Sequence, residues 1–401
     1  MLKRTETALL AGFAALAPLA IDMYLPAMPP LARDLSVSFA VAGQSIAVFL
    51  FGVAGGQLFA GPLSDRIGRK PVILAGLVAF LAASGLAALT TRFDLLLLAR
   101  LVQALGACCA MVAGRAMVRD RLDATEGARF FSLLALIGGL APVLAPLIGA
   151  AVIQVASWRA IFAVMAVFAA LLAAGTLPAL AESRSDETAA LAASAHPFAA
   201  YRTLLGERAL VGYLLAAMGN SAGFFAYVAN SSLVLVGAYG LTPATFSLVF
   251  GVNSIALVGA SQLNRVLLKR HSLPSLLAFS ARNALILSAL FLGFAVTGFG
   301  GLPVLALLLF LMVGSVSPIQ GNAMAGGLAV DPLRAGSTAA LFGASTFAAG
   351  AVASWCVGLV ALGGGRALML VDAACLAAVW AAIRFLVLPG ATTPVPAPAA
   401  G

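Results

Sequence analysis

The sequence predicts an all-α membrane protein: twelve transmembrane helices in two pseudo-symmetric halves of six. Three observations carry that reading. Hydrophobic residues make up 62% of the 401 and charged residues only 9%, far too few to cover a soluble domain of this length. Apolar stretches long enough to cross a bilayer recur along the chain. Lys and Arg gather in alternate connections, as they do in loops on one side of a membrane. Lipid offers no hydrogen bonds, so each stretch must satisfy its own backbone as a helix.

The first span, near 8–30, follows Lys3 and Arg4. Its opening run, ending Ala17-Pro18-Leu19-Ala20, has the look of a cleavable signal, but the apolar character continues to Met28, so an uncleaved span is expected. Spans two and three, near 38–60 and 71–91, flank a basic connection with several glycines. Spans four, five and six are placed at 95–118, 130–154 and 159–180, and glycine or proline inside them is tolerable because neighbouring helices re-satisfy the freed groups. The longest connection follows, 181–208, Ala-rich and carrying Glu182, Arg184, Asp186, Glu187, Glu207 and Arg208. Spans seven to twelve are placed at 210–236, 243–265, 273–296, 302–324, 336–360 and 367–388. The expected units are therefore bundles at 1–180 and 209–388, a cytoplasmic linker at 181–208, and a disordered tail at 389–401 with Pro394, Pro396 and Pro398. A weak repeat supports the duplication: Leu63-Ser64-Asp65-Arg66 through Lys70 follows span two, and Leu263-Asn264-Arg265 through Arg270 follows span eight.

With both termini cytoplasmic, 17 Lys and Arg fall on that side and four (Arg33, Arg92, Arg159 and Arg366) on the other. The formal charge of +9 thus follows topology and forms no single patch, which argues against a nucleic-acid partner. Cys108, Cys109, Cys356 and Cys375 lie in apolar segments without metal-type spacing and read as small hydrophobes. No G-x-x-x-x-G-K-[ST] loop is present, so an ion gradient is expected to supply the energy in place of ATP, with no cofactor.

Gly61-Pro62-Leu63-Ser64-Asp65-Arg66-Ile67-Gly68-Arg69-Lys70 resembles the signature loop of the major facilitator superfamily, G-x-L-x-D-R-x-G-R-K. Span one adds Asp22-Met23-Tyr24-Leu25-Pro26-Ala27. In span four, Arg100, Gln103 and Gly106 are similar to R-x-x-Q-G-x-G, with Ala104 where glycine is usual. In span five, Ala141 to Gly149, with Pro142 and Pro146, resembles the proline-glycine segment of drug antiporters, again with alanines for some glycines. Together they look like the twelve-span drug:proton antiporters, the bicyclomycin and chloramphenicol resistance branch, most sharply in the first half. The resemblance implies the major facilitator fold, proton-coupled efflux of small molecules by alternating access, and an Asp65 that faces the start of span eleven near Gly336. The alanine replacements put the gating of span five in question.

Asp22 and Asp372 are the acids placed within spans, and Arg100 and Arg282 the bases. Asp22 and Arg100 each lie about six residues below the same outer surface, roughly 9 Å deep, and ionisable groups in lipid are functional by default. Asp22 is expected to be the proton-coupling acid, with Arg100 tuning it; the plainer reading makes Asp22 a vestibule residue and Arg100 a packing residue bonded to helix carbonyls. Asp372 is expected to reach the headgroups, paired with Arg366, and Arg282 with Asn283 to snorkel or bond within its half. For substrate, Asn220, Phe224, Tyr227 and Ser231 share one face of span seven. Tyr24, Gln103, Asn253, Gln320 and Asn322 join them as candidates, each alternatively interhelical glue.

Two rival functions stay open. Gly219-Asn220-Ser221-Ala222-Gly223 formally fits the nucleophile elbow G-x-S-x-G, but it lies inside a helix, and the histidines, His196 and His271, sit in loops. An importer or a metabolite exporter on the same scaffold is the nearer rival, because helix pattern does not encode direction. The expected partners are small-molecule drugs or metabolites and the lipid bilayer. The expected state is a monomer, multi-pass in a bacterial inner membrane.

Overall fold

In a computed structural model, the protein is described over residues 3–194, 199–360, 362–363 and 365–391. His196 and residues 392–401 of the expected tail lie outside them. Among the described residues there is no strand, and twelve long helices dominate. The first six are α1 (Arg4–Asp22), α2 (Phe39–Ile67), α3 (Arg69–Leu89), α4 (Phe93–Arg121), α5 (Ala124–Val155) and α6 (Arg159–Ala179). The second six are α7 (Arg208–Ser232), α8 (Pro243–Leu267), α9 (Leu273–Thr297), α10 (Gly301–Val330), α11 (Ala335–Leu359) and α12 (Arg366–Ala382). Short helices Asp186–Ser194 and Ala199–Leu204 lie between the two sets. Eleven spans are apolar and long enough to cross a membrane, and α5, at 32 residues, completes the twelve.

Within each set the helices pack on one another, and the sets meet through α2 with α11 and α5 with α8. Each half therefore lends its second and fifth helices to the other, the pairing a half-chain duplication requires.

Local chemistry accounts for the departures from expectation. The first span is broken: α1 ends at Asp22, a 3-10 turn covers Leu25–Ala27, and a short helix, Met28–Asp34, resumes. Pro26, Pro29 and Pro30 have no N–H to return to the preceding turn, so the helix cannot run through. The signature segment is not a loop. Its Ser64, Asp65 and Arg66 belong to α2, and the whole turn into α3 is Gly68, at φ 108° and ψ 154°. That conformation is open to glycine alone, and a Cβ there would also lie 2.6 Å from Glu182 Oε2.

Glu182 explains the tightness of this corner. Its carboxylate accepts the backbone N–H of Arg69 (2.9 Å) and Lys70 (3.1 Å), capping the first turn of α3. Lys70 Nζ donates to the Leu177 carbonyl of α6 at 2.8 Å. Arg69 binds Asp65, Asp120 (Nε to Oδ2, 3.0 Å) and Ser64 (2.8 Å), tying α2, α3 and α4 together at the face that carries the linker. Among the described residues Asp65 makes no hydrogen bond or ion pair with α11: Arg69 takes its carboxylate, and a Cβ on Gly336 would meet nothing within 4 Å.

Candidate functional site

Between the halves lies a cavity of about 770 Å³. On the linker side its walls include Arg115 on α4 and Met324 on α10, each six residues from the end of its helix. On the far side it stops at Asp22, Tyr227 and Phe250. Beyond them the halves close on each other. Ser247 Oγ of α8 donates to the Pro146 carbonyl of α5 at 3.2 Å. A Cβ on Gly237 would lie 2.8 Å from the Phe39 ring. The cavity is thus sealed at the far face and extends towards the linker face.

α7, α8, α10 and α11 supply most of the second half's lining. Phe224, Phe225 and Phe347 form an aromatic wall, with centroids 5.3 Å apart for the first pair and 5.1 Å for Phe225 and Phe347. Tyr227 stacks on Phe250 at 5.6 Å, and Asn253 Nδ2 donates to the Tyr227 hydroxyl at 2.8 Å, which fixes ring and amide together. Gln320 accepts from Ser221 Oγ at 3.2 Å, so the serine of the elbow-like segment serves a neighbouring helix. Rings with a few amides suit a ligand held by shape and a small number of directional bonds.

From the first half come α1 with Asp22, α2 with Gln57, α4 with Arg115 and α5 with Pro142. Asp22 is buried, and no cation lies within ion-pair distance of it among the described residues. The break in the first span is what aims it here. α5 can approach that break because position 149 has no side chain: a Cβ on Gly149 would overlap the Met23 carbonyl oxygen.

Arg100 is fully buried behind this wall and does not pair with Asp22. Its guanidinium donates to Gln103 Oε1 (2.6 Å) and to the Ala20 carbonyl of α1 (3.0 Å). It also stacks over Phe49 and Tyr24, 4.4 and 4.9 Å from their centroids. Gln103 passes the network on to Ser84 Oγ at 2.8 Å, and the Tyr24 hydroxyl meets Ser45 Oγ at 3.1 Å. Tyr24 and Gln103, expected to contact substrate, therefore belong to a polar core inside the first half. Their bonds are taken, and they are absent from the cavity wall.

The face expected on α7 divides. Phe224 and Tyr227 line the cavity, whereas Asn220 donates to the Val316 carbonyl of α10 at 3.0 Å and Ser231 to the Val228 carbonyl at 2.8 Å. Asn322 is also spent, in a reciprocal amide pair with Asn264 at 3.0 and 3.1 Å. Arg282 stacks over Phe279 at 5.2 Å. Asp372 does not reach headgroups or Arg366; it is fully buried between helices.

Sequence reasoning missed Gln57, Arg115, Phe225 and Thr346 as lining residues. Arg115 counted as part of a cytoplasmic cluster, but α4 runs on to Arg121 and carries it into the cavity wall. The small-residue cue was available for Gln57: a Cβ on Gly343 would lie 3.0 Å from its side chain, so α2 and α11 touch there.

Comparison with known proteins agrees with this geometry. A family model described as Major Facilitator Superfamily matches residues 10–354. The chain is 32% identical over 345 residues to the bicyclomycin resistance protein homolog of Haemophilus influenzae, covering 84% of each. It is 32% identical over 362 residues to the multidrug resistance protein MdtL of Shewanella oneidensis, covering 90% of each. Among solved structures, a D-xylose-proton symporter superposes with a TM-score of 0.72 at 13% identity, over 95% of this chain and 97% of that one.

Proposed function

The chain belongs to the major facilitator superfamily, and from that premise we propose that it exports small, partly apolar molecules in exchange for protons by alternating access. It is a transporter and not an enzyme. The observation that carries the proposal is Asp22: a buried carboxyl on the wall of a largely apolar cavity, with no cation paired to it among the described residues. Protonated, it carries no charge; ionised, it needs cargo, water or a rearrangement to stabilise its charge. Proton and cargo therefore compete for one state of the cavity, which is the requirement for exchange. Arg100 acts through the helix, holding the Ala20 carbonyl two residues before Asp22.

The resistance names of the relatives support export over import. The excess of Lys and Arg on the linker face supports cytoplasmic termini in a bacterial inner membrane. The cavity seen here would then face the cytoplasm, ready to load. The reading needs no cofactor beyond the proton gradient, and a monomer holds the complete cavity.

The test is expression in an efflux-deficient host, with growth across a panel of neutral antibiotics and dyes and with accumulation measured before and after a protonophore. Raised tolerance that collapses with the gradient is expected. Unchanged tolerance and accumulation for every compound would refute export. In vesicles, Asp22→Asn should abolish drug-driven proton movement, and full coupling in that variant would remove Asp22 from the mechanism.

A further inference from the structure

Asp372, on α12, is a buried acid with no part in the exchange just described. It is fully buried, and among the described residues neither carboxylate oxygen has a hydrogen-bond partner. Arg366, the cation nearest in sequence, is turned away onto the Ala295 and Val296 carbonyls at the end of α9, at 2.5 and 2.7 Å.

Among the described residues no other cation takes its place. α7 presents glycines: a Cβ on Gly223 would lie 3.3 Å from Asp372 Oδ1, and one on Gly219 would lie 3.0 Å from the Cys375 carbonyl. This is a small-xxx-small contact that lets the two backbones approach closely. α9 offers Ser288, whose hydroxyl is committed to the Ala373 carbonyl at 2.7 Å. The titratable neighbour is Cys375, one turn along α12, which in turn neighbours Cys356 on α11. Both also line an apolar groove of about 980 Å³ between α7, α11 and α12, whose walls carry no charged side chain. Among the described residues a carboxylate ion here would have no donor and no cation, so the packing tolerates the neutral acid.

Its depth is also informative. Asp22 lies 18 residues into α1, and Gly223, against which Asp372 rests, lies 15 residues into α7. Each half thus holds one acid, about 22–27 Å from the linker face at 1.5 Å per residue.

We propose that Asp372 is a second proton-binding site, which holds its proton while α7 and α12 are packed as seen here and releases it when that contact opens. On release the carboxyl O–H bond breaks, the proton passes to entering water, and the carboxylate is left hydrated. The use of this proton in transport rests on the exchange reading above; its binding at Asp372 does not.

Infrared spectroscopy of the purified full-length protein tests the binding directly. With Asp22 replaced by Asn so that it adds no signal, the protein at neutral pH should show the carbonyl stretch of an undissociated carboxylic acid, and Asp372→Asn, which keeps the shape, should remove it. Gly223→Leu, which wedges a side chain against the carboxyl, should discharge the acid and remove the same band. No band lost in Asp372→Asn would overturn the proposal, as would a band that survives in Gly223→Leu. Proton release per molecule of chloramphenicol taken up by proteoliposomes should fall in Asp372→Asn, and an unchanged ratio would equally refute the role in transport. A wild-type protein that moves no protons at all would sink the exchange reading, and the infrared result would still decide this one.

Discussion

Arg100 shows how much one side chain can organise in a membrane interior. It is fully buried, and its bonds join α1 to α4. Its partners are neutral, and losing hydrogen bonds from a charged donor costs about 1.5–3 kcal/mol, because the acceptors left behind are unsatisfied. Arg100→Ala should therefore lower thermal stability in detergent by that order. Arg100→Lys should recover only part of it, since an ammonium cannot reproduce the planar fork or the stacking over Phe49. At the cavity wall the margins are smaller. Asn253→Ala removes the donor to the Tyr227 hydroxyl and leaves the ring in place. Ligand affinity should then weaken by about 1 kcal/mol, or several-fold, with stability little changed; titration of a transported dye by fluorescence checks it. These residues also mark where the sequence was legible. Asp22 stood out because charge in an apolar run is rare. The partners of Tyr24, Gln103 and Asn220 could not be read, because an amide in a helix looks the same whether it faces a cavity or a neighbouring carbonyl. Arg115 was hidden by its company: three arginines before a break look like the end of a span, although the helix continues through them.

At the scale of elements, small residues decide which helices touch. Gly149 brings α5 against the broken span beside Asp22. Gly149→Val would force the Met23 carbonyl aside and displace the acid next to it. Overpacking of this kind costs about 1–3 kcal/mol, and transport should fall even where the protein still reaches the membrane. The α2–α3 corner carries a pH dependence. Partial burial alone would raise the Glu182 carboxyl, but the backbone N–H groups of Arg184, Arg69, Ser183 and Lys70 outweigh it and hold the group below the usual carboxylate range. Its contribution is then complete above the unfolded carboxylate range and disappears as pH falls through the depressed folded value. Limited proteolysis between residues 181 and 190 should accelerate on acidification, and Glu182→Gln should make that acceleration vanish. The twelve helices were legible from apolar run length alone. Their ends were less so, because Pro62, Ser64 and Asp65 signal a loop while the backbone stays helical.

At the scale of the molecule, the halves meet at the far face and part towards the linker face. Thiol labelling reports that asymmetry. With the four native cysteines replaced by alanine, Arg115→Cys should react with a water-soluble maleimide applied from the linker side, and a transported drug should protect it. Ser247→Cys, at the sealed contact with Pro146, should stay unreactive until the far side opens. Equal labelling of both positions in resting protein would contradict the arrangement. Two six-helix halves could be anticipated from the half-chain repeat. The state of closure could not, since the same side chains make different contacts in each orientation.

The grip on the connecting segment is lopsided. Ser183 Oγ reaches Asp120 at 3.0 Å, Arg184 holds the Arg66 carbonyl, and Glu182 is bound into α3, so the segment leaves the first bundle as a fastened strap. The helix Asp186–Ser194 also lies against α2, so slack for any rocking of one bundle against the other must come from beyond it. A foreign domain spliced in at 183 would unfasten the bundle that owns the signature corner.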